Sequence, residues 1–361
     1  MSRDCPSRLR IAQVAPLWAS VPPAEYGGAE LMVHWLTEEL VRQGHDVTLF
    51  ASGDSKTSAR LIPTCKCNLL ETMTKGAAYQ YECYAAASLS EALRRSESFD
   101  VIHCHLGPAM IPFGSLSKTP VLHTVHAGLD SVDEQWVLRQ YPDVPIAAIS
   151  DSQVAATPPE RRGNIRTIYH GCDFDMYELS EAPGEYLAFI GRMGRRKNPV
   201  GAIRIAQAAG LPIVLAGQPQ DSEERSYFDA QVKPLLDDTN VTYLGPISHC
   251  EKVGFLKHAS ALLFPIQWQE HFGLVMIEAM ACGTPVVGWN RGSVCEVVDP
   301  GVTGFYGTSE KELTSLVDKA LSLNRRSVYE HALSRFSDRR MTLEYVDLYR
   351  HLTSSAGADG G

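Results

Sequence analysis

The chain has 361 residues, a formal net charge of −9 and an isoelectric point of about 5.7. The chain is longer than chains that usually fold around a single hydrophobic core, so two domains are expected. The acidic balance argues against general nucleic-acid binding. No stretch approaches the roughly 20 apolar residues that span a membrane, and the polar first ten residues lack the apolar core of a signal peptide.

The nine cysteines are scattered and form no paired CxxC motifs at zinc-site spacing. Reduced thiols in a cytoplasmic protein are the simplest interpretation.

Both halves of the chain alternate short apolar strands with amphipathic helices, which is typical of βαβ units and a parallel sheet. A helix is predicted over Ala29–Arg42, ending at Gly44. The predicted strands of the first half are Leu9–Val14, Asp46–Phe50, Asp100–His103, Val121–Thr124 and Ile146–Ile149. Those of the second half are Tyr186–Ile190, Pro212–Ala216, Val241–Leu244, Ala261–Phe264 and Pro285–Val287.

This pattern predicts two doubly wound α/β domains, 1–175 and 176–337, followed by an amphipathic helix over 338–353. The tail 354–361 is predicted to be disordered. Ligands of such sheets bind beyond the carboxyl ends of the strands. The loops 16–24 and 52–73 are therefore expected to shape the acceptor side of the first domain.

Two acids, Glu270 and Glu278, bracket the start of a helix predicted to begin at Phe272 or Gly273. The free N–H groups of that first turn suit an anion such as a diphosphate. Glu278 lies among apolar residues, where a carboxylate is costly unless it is bound. Ribose hydroxyls would satisfy it, but so would a buried basic side chain. Glu270 could accept from sugar hydroxyls or cap the first turn. Spacing alone favours neither alternative.

A basic glycine-containing loop, 191–197, follows the strand Tyr186–Ile190. Asn198 is predicted to cap the next helix, with Pro199 at its first position. Arg192 and Lys197 can converge on phosphate oxygens. Arg195 and Arg196 are better interpreted as solvated.

Gly27 and Gly28 open the first helix and allow a ligand to approach the backbone, although a flexible turn is equally compatible. Four histidines follow two strands: His103, His105, His123 and His126. If these two strands are neighbours in the sheet, the four side chains share the rim of the ligand-binding cleft. His123 is expected to be a satisfied core residue, whereas His126 lies past its strand and could contact a substrate. A metal site with Cys104 ranks well below that.

Taken together, these segments resemble glycosyltransferase family 4, retaining enzymes of the two-domain GT-B fold, over nearly the whole chain. The segments that carry the resemblance are 26–30, 100–105, 123–126, 170–173, 191–197, 270–287 and 292–298. The two acids followed by the sequence EAMACGTPVV are highly specific. Asn198 and His271 depart from the residues common in the family.

The resemblance implies two Rossmann-like domains facing a central cleft, with the last helix crossing back onto the first domain. It implies that Arg192 and Lys197 bind the donor diphosphate, that Glu270 orients the sugar and that Glu278 binds the ribose. His126 matches the histidine near the reacting carbon, and Glu296 a position lining the nucleotide pocket. The implied catalytic residues are His126, Arg192, Lys197 and Glu270. The implied donor-binding residues are Gly27, Gly28, Arg192, Lys197, Glu270, His271, Phe272, Gly273, Leu274 and Glu278.

The resemblance therefore predicts a hexosyltransferase that uses a nucleotide sugar with UDP or GDP and needs no metal cofactor. No motif in the sequence identifies the acceptor, which could be a small molecule, a saccharide or a lipid-linked compound. A nucleotide-sugar epimerase on the same fold and a non-catalytic nucleotide-sugar-binding protein are the alternatives.

Overall fold

The computed structural model describes residues 8–24, 27–74 and 80–358. They form two compact units: unit 1 consists of the described residues up to Gly171 together with those from Asp338 onward, and unit 2 of residues 172–337. The division at Gly171 lies a few residues before the boundary expected at 175.

Unit 1 is built on a parallel sheet in the order β3-β2-β1-β4-β5-β6-β7. Its strands are β1 (Arg10–Val14), β2 (Asp46–Ser52), β3 (Arg60–Cys65), β4 (Val101–Cys104), β5 (Val121–Thr124), β6 (Ile146–Ala148) and β7 (Ile165–Thr167). Its first helices are α1 (Gly28–Arg42), α2 (Leu69–Thr74), α3 (Tyr81–Leu93), α4 (Ile111–Gly114), α5 (Val132–Gln140) and α6 (Asp151–Ala155). The central strands β1 and β4 are almost wholly buried, as expected of a sheet covered on both faces.

Unit 2 repeats this plan with a parallel sheet in the order β10-β9-β8-β11-β12-β13. Its strands are β8 (Tyr186–Ile190), β9 (Ile213–Ala216), β10 (Val241–Gly245), β11 (Ala259–Phe264), β12 (Val286–Trp289) and β13 (Gly304–Gly307). Its helices are α7 (Pro199–Ala209), α8 (Ser222–Tyr227), α9 (His249–Lys257), α10 (Leu274–Ala281), α11 (Val294–Val297), α12 (Glu310–Leu321) and α13 (Arg325–Phe336).

In each sheet the strand order reverses at the first strand, between β1 and β4 in unit 1 and between β8 and β11 in unit 2. The loops that leave such a pair of strands diverge to opposite faces and open a crevice at their carboxyl ends. The predicted doubly wound α/β class is confirmed, and this reversal locates the ligand-binding edge of each unit.

Among the strands of the described residues, three were not predicted, and all three lie at sheet edges. β3 falls within the predicted loop 52–73 and contains Pro63, which is tolerated there because an edge strand has one unpaired side. β7 is only three residues long, and β13 begins and ends with glycine. Short, half-exposed strands lack the apolar run that reveals a central strand.

A last helix, α14 (Asp338–Ala358), belongs to unit 1, as the resemblance implied. Its buried face joins one apolar cluster with α1, in which Met341, Tyr345 and Tyr349 pack with Leu36 and Leu40.

The prediction of a disordered tail was wrong for residues 354–358, because α14 continues through them. The hydroxyls of Ser354 and Ser355 donate to the carbonyl of His351 at 2.9 and 3.0 Å, so these polar residues are bonded within the helix. Residues 359–361 lie outside the described part of the chain. None of the described helices combines the length and the apolar character needed to cross a bilayer.

Candidate active site

Lys197 and Glu270 form an ion pair at the strand reversal of unit 2. Lys197 ends the loop after β8 and Glu270 follows β11, and 2.6 Å separates Nζ from Oε2. The carboxylate is 8% exposed and the lysine side chain 21%. Trp268 Nε1 donates to the same oxygen at 3.4 Å, so both described bonds fall on Oε2. A strong cation and a strong acceptor therefore stand side by side where the topology predicts a ligand.

The backbone around Glu270 is held by the turn that precedes α11. Ser293 N donates to the carbonyl of Glu270 at 2.9 Å, and Ser293 Oγ to that of Phe272 at 3.0 Å. Gly292 has a φ of +61°, and a Cβ there would lie 2.1 Å from the carbonyl oxygen of Glu270. Only glycine fits this position, because any side chain would push the acidic segment away.

Helix α10 begins at Leu274, after the predicted start at Phe272 or Gly273. Gly273 is the N-cap with a φ of +80°, and it offers no side chain to the first N–H groups. The Phe272 ring is buried against Phe336, so only its backbone can reach a ligand. His271 packs edge-on against Trp268. The start of α10 is thus an uncapped helix N-terminus beside Glu270, an arrangement suited to a phosphate.

Glu278 is buried inside α10 and has two internal donors. Tyr177 Oη donates to its Oε1 at 2.8 Å and Lys252 Nζ to the same oxygen at 2.5 Å. The alternative of a buried basic partner is therefore realised for Glu278. Burial, and next the charge of Glu278, raises the pKa of Tyr177 well above its ordinary value, so the phenol stays a donor. Oε2 carries neither of these bonds.

Arg192 has partners of its own on α8. Its guanidinium contacts Asp221 Oδ2 at 3.0 Å and Glu224 Oε1 at 2.8 Å. Asp221 also caps α8, so this contact ties the basic loop to a helix start. Among the described contacts, the structure brings Lys197 and Glu270 together, but it gives Arg192 and Glu278 separate partners.

The other basic residues of this loop behave as expected. Arg195 and Arg196 are exposed and lie over the rings of Tyr227 and Trp268, with 5.0 and 5.4 Å between guanidinium carbon and ring centroid. Asn198 caps α7, which begins with Pro199, as predicted. Glu296 lies half-buried in the first turn of α11.

In unit 1 the glycine pair opens α1. A Cβ on Gly27 would lie 2.9 Å from Cβ of Pro23 and 3.0 Å from Oε2 of Glu30, so the loop folds closely over this position. Gly28 is the exposed first residue of α1. Tyr26, the preceding residue of the motif, lies outside the described residues.

His126 is the centre of a row of three imidazoles. Its Nε2 lies 3.0 Å from Nδ1 of His105, and its Nδ1 lies 3.3 Å from Nε2 of His170. Burial lowers the pKa of His126 to about 3, so the ring is neutral near pH 7. The sequence predicted that His126 stands past its strand, but not that both of its nitrogens face histidines.

The other histidines agree only in part with their predicted positions. His103 and His105 are buried rather than placed at a rim. His123 is buried as expected, but neither of its ring nitrogens has a hydrogen-bond partner among the described residues. Cys104 lies on the face of β4 opposite to His103, in a separate apolar cluster. Burial raises the pKa of its thiol to about 12. Within the described ranges no group of three or more His, Cys, Asp or Glu residues could hold a metal ion.

Family models match both units. The model described as Glycosyltransferase Family 4 covers residues 26–175, and the one described as Glycosyl transferases group 1 covers residues 178–335. The chain belongs to glycosyltransferase family 4. This family-4 protein is therefore a glycosyltransferase with the two-domain GT-B fold.

Individual relatives agree with this assignment. The family-4 chain is 25% identical to the D-inositol 3-phosphate glycosyltransferase of Mycolicibacterium smegmatis, over 91% of its own length and 88% of the relative's. It superposes with a TM-score of 0.73 on AviGT4, a glycosyltransferase involved in avilamycin A biosynthesis, at 25% identity over 96% and 98% of the chains. The Anabaena protein HepE, solved with UDP and glucose, gives a TM-score of 0.71 at 19% identity over 94% and 99%.

Several partners in the candidate site have no signal in the sequence of this family-4 protein. Tyr177 and Lys252 lie 101 and 26 positions from the glutamate that they contact. Asp221 is the N-cap of α8 and Glu224 lies in its first turn, which are ordinary positions for acidic residues. Only the spatial arrangement reveals that these four residues contact the charged groups of the predicted donor site.

Proposed function

We propose that this glycosyltransferase moves a hexose from a UDP- or GDP-sugar to an acceptor hydroxyl, with retention of configuration. The observation that carries the proposal is the Lys197–Glu270 pair between the loops after β8 and β11. An ammonium suits a diphosphate and a carboxylate suits sugar hydroxyls, and here 2.6 Å separates them.

In this proposal Lys197 uses one of its three N–H donors on Glu270 and the others on phosphate oxygens. The uncapped start of α10 adds backbone donors for the same diphosphate. Arg192 contributes a second cation when phosphate oxygens replace Asp221 or Glu224 as its partners. Two cations and a helix N-terminus stabilise the negative charge that the leaving diphosphate gains.

Glu278 is proposed to bind the donor ribose through Oε2. Tyr177 and Lys252 both bond to Oε1, so they hold the carboxylate without using its second oxygen. Vicinal hydroxyls are donors of the right kind for a buried carboxylate.

The proposed step breaks the bond between the anomeric carbon and the phosphate oxygen, and forms a bond from that carbon to the acceptor oxygen. The acceptor proton passes to the departing phosphate oxygen on the same face, so no protein nucleophile is needed. Cationic side chains supply the charge stabilisation, and we therefore propose that transfer needs no metal ion.

UDP-glucose is the first donor to test, because HepE shares this fold and was solved with UDP and glucose. A thermal-shift screen of UDP- and GDP-sugars should reveal a stabilising donor. Mass spectra of reactions with a panel of acceptors, with and without EDTA, then identify the product. The proposal fails if Glu270→Ala binds the donor normally and keeps full transfer activity.

A further inference from the structure

A continuous set of hydrogen bonds, buried except at the half-buried His126, runs along the carboxyl ends of the unit 1 strands. It consists of Gln13 at β1, His103 and His105 at β4, Thr124 and His126 at β5, His170 after β7, and Tyr345 and Tyr349 on α14. We call these residues the histidine relay. Gln13 lies at its middle: its Oε1 is 2.8 Å from His105 Nε2, and its Nε2 is 3.2 Å from Tyr349 Oη.

The imidazoles of the relay are neutral near pH 7. Burial is the largest cause that lowers the pKa of His105, His126 and His170, and neighbouring imidazoles lower that of His105 further. A neutral imidazole carries one proton, so each ring has one donor and one acceptor nitrogen. Each hydrogen bond in the row therefore decides the tautomer of the next ring.

Gln13 sets the direction on the His126 side. Its Oε1 is an acceptor only, so Nε2 of His105 must carry a proton and Nδ1 must be bare. Nε2 of His126 must then donate to that bare Nδ1, which leaves Nδ1 of His126 as an acceptor. His170 fits, because its Nε2 can donate to Nδ1 of His126.

The same amide sets a compatible direction on the other side. Its NH₂ group donates to Tyr349, which leaves the phenol hydrogen for Nδ1 of His103 at 2.6 Å. Nε2 of His103 then donates to Thr124 at 2.7 Å. Reversing the amide would reverse the proton on every ring, so one side chain determines the order of the whole relay.

We propose that Gln13 and His105 are positioning residues that keep the proton of His126 on Nε2, so that Nδ1 accepts a hydrogen bond from a substrate hydroxyl. This inference rests on the proposed function, in which His126 contacts the substrate. The contact from His126 to His170 is the longest ring contact of the relay, at 3.3 Å, and His126 is half-buried. A hydroxyl can replace His170 there, whereas a phosphate oxygen, which has no proton to donate, cannot.

The tautomer can be measured without turnover. Full-length protein with ¹⁵N-labelled histidine is examined by two-bond ¹H–¹⁵N correlation, and His126 is assigned from the signal lost in His126→Gln. We expect protonated Nε2 and bare Nδ1 on His126. A protonated Nδ1, alone or together with Nε2, overturns the proposal whether or not the protein transfers a sugar.

The role of Gln13 is tested with Gln13→Met, which keeps the length of the side chain but removes both polar groups. We expect a mixture of His126 tautomers and a fall in kcat of about tenfold with little change in the KM for the donor. Tyr345→Phe is the matched control, because Tyr345 bonds only to Thr124 in the relay and its loss should leave the His126 signals unchanged. An unchanged His126 tautomer, or an unchanged kcat, in Gln13→Met overturns the positioning role.

Discussion

Lys197 Nζ and Glu270 Oε2 lie 2.6 Å apart although 73 positions separate the two residues in the chain. The two loops meet because β8 and β11 are neighbours at the point where the strand order reverses. The pair therefore connects the basic loop that ends at Lys197 with the acidic segment that follows β11, at the strand reversal of unit 2. It is the first contact to test.

Lys197→Met should lower kcat/KM for transfer by about 10²- to 10³-fold, because it removes a cation from the leaving diphosphate while keeping the apolar stem. Steady-state kinetics with the identified donor measure this loss.

Arg195→Met is the control for Lys197→Met, since Arg195 is an exposed cation of the same loop. It should retain activity within about twofold, as expected for a solvated surface charge. Equal losses in the two variants would contradict a specific role for Lys197.

Lys252→Met should destabilise unit 2, because among the described residues it leaves Glu278 buried with Tyr177 as its one remaining donor. The Lys252 and Glu278 side chains are 16% and 5% exposed, and removing one partner of such a pair costs about 3–5 kcal/mol. Urea unfolding measures the change in the free energy of unfolding.

The double variant with Lys252→Met and Glu278→Gln separates stability from binding. It should recover much of the lost stability, because no unpaired charge remains, but it should still bind the donor weakly. Normal donor affinity in the double variant would show that Glu278 does not bind the ribose.

His123→Leu should make the free energy of unfolding depend less steeply on pH below neutrality. Burial lowers the pKa of His123 from 6.5 to about 3, so between these values the unfolded chain binds a proton that the folded chain does not. Stability is therefore lost as the pH falls below about 6.5, by about 1.4 kcal/mol per pH unit for this one group.

Denaturant unfolding at pH 7, 6, 5 and 4 measures this slope. The leucine variant should match or exceed the parent at pH 7, because His123 has no hydrogen-bond partner among the described residues to lose. Parallel profiles for the two proteins would mean that folding does not lower the pKa of His123.

Gly292→Ala should reduce both stability and activity, because the added Cβ collides with the backbone that carries Glu270. Gly301→Ala is the matched control: Gly301 has a φ of +81° but nothing within 4 Å of its Cβ position. The control should lose only about 1–2 kcal/mol of the free energy of unfolding, because alanine is strained in the left-handed conformation. It should keep its donor affinity. Thermal unfolding and donor titration of both variants make the comparison; equal behaviour would contradict the predicted collision.

The sequence predicts the central elements of this fold well, because buried strands such as Val121–Thr124 and Tyr186–Ile190 combine an apolar run with clear turns. It fails at β3, β7 and β13, whose residues are only partly covered. A strand that pairs on one side only is stabilised by its neighbour more than by its own composition.

The candidate site shows the same division. Spacing identified Glu270 and Glu278 but left the partner of Glu278 undecided, and the structure assigns Tyr177 and Lys252. The motifs around His103 and His126 pointed to a polar cluster without showing that Gln13 and Tyr349 join it. Contacts between distant segments depend on strand order, which the local pattern does not encode.

The placement of α14 has a consequence for biosynthesis. Its Tyr345 and Tyr349 lie in the same apolar cluster as Leu36 and Leu40 of α1. Helix α1 leaves the ribosome about 300 residues before α14 does. Until α14 has emerged and folded, that face of α1 lacks its cover and the relay lacks the phenols of Tyr345 and Tyr349. Unit 2 can fold during synthesis from a continuous segment, whereas unit 1 is completed only after translation of unit 2 has ended.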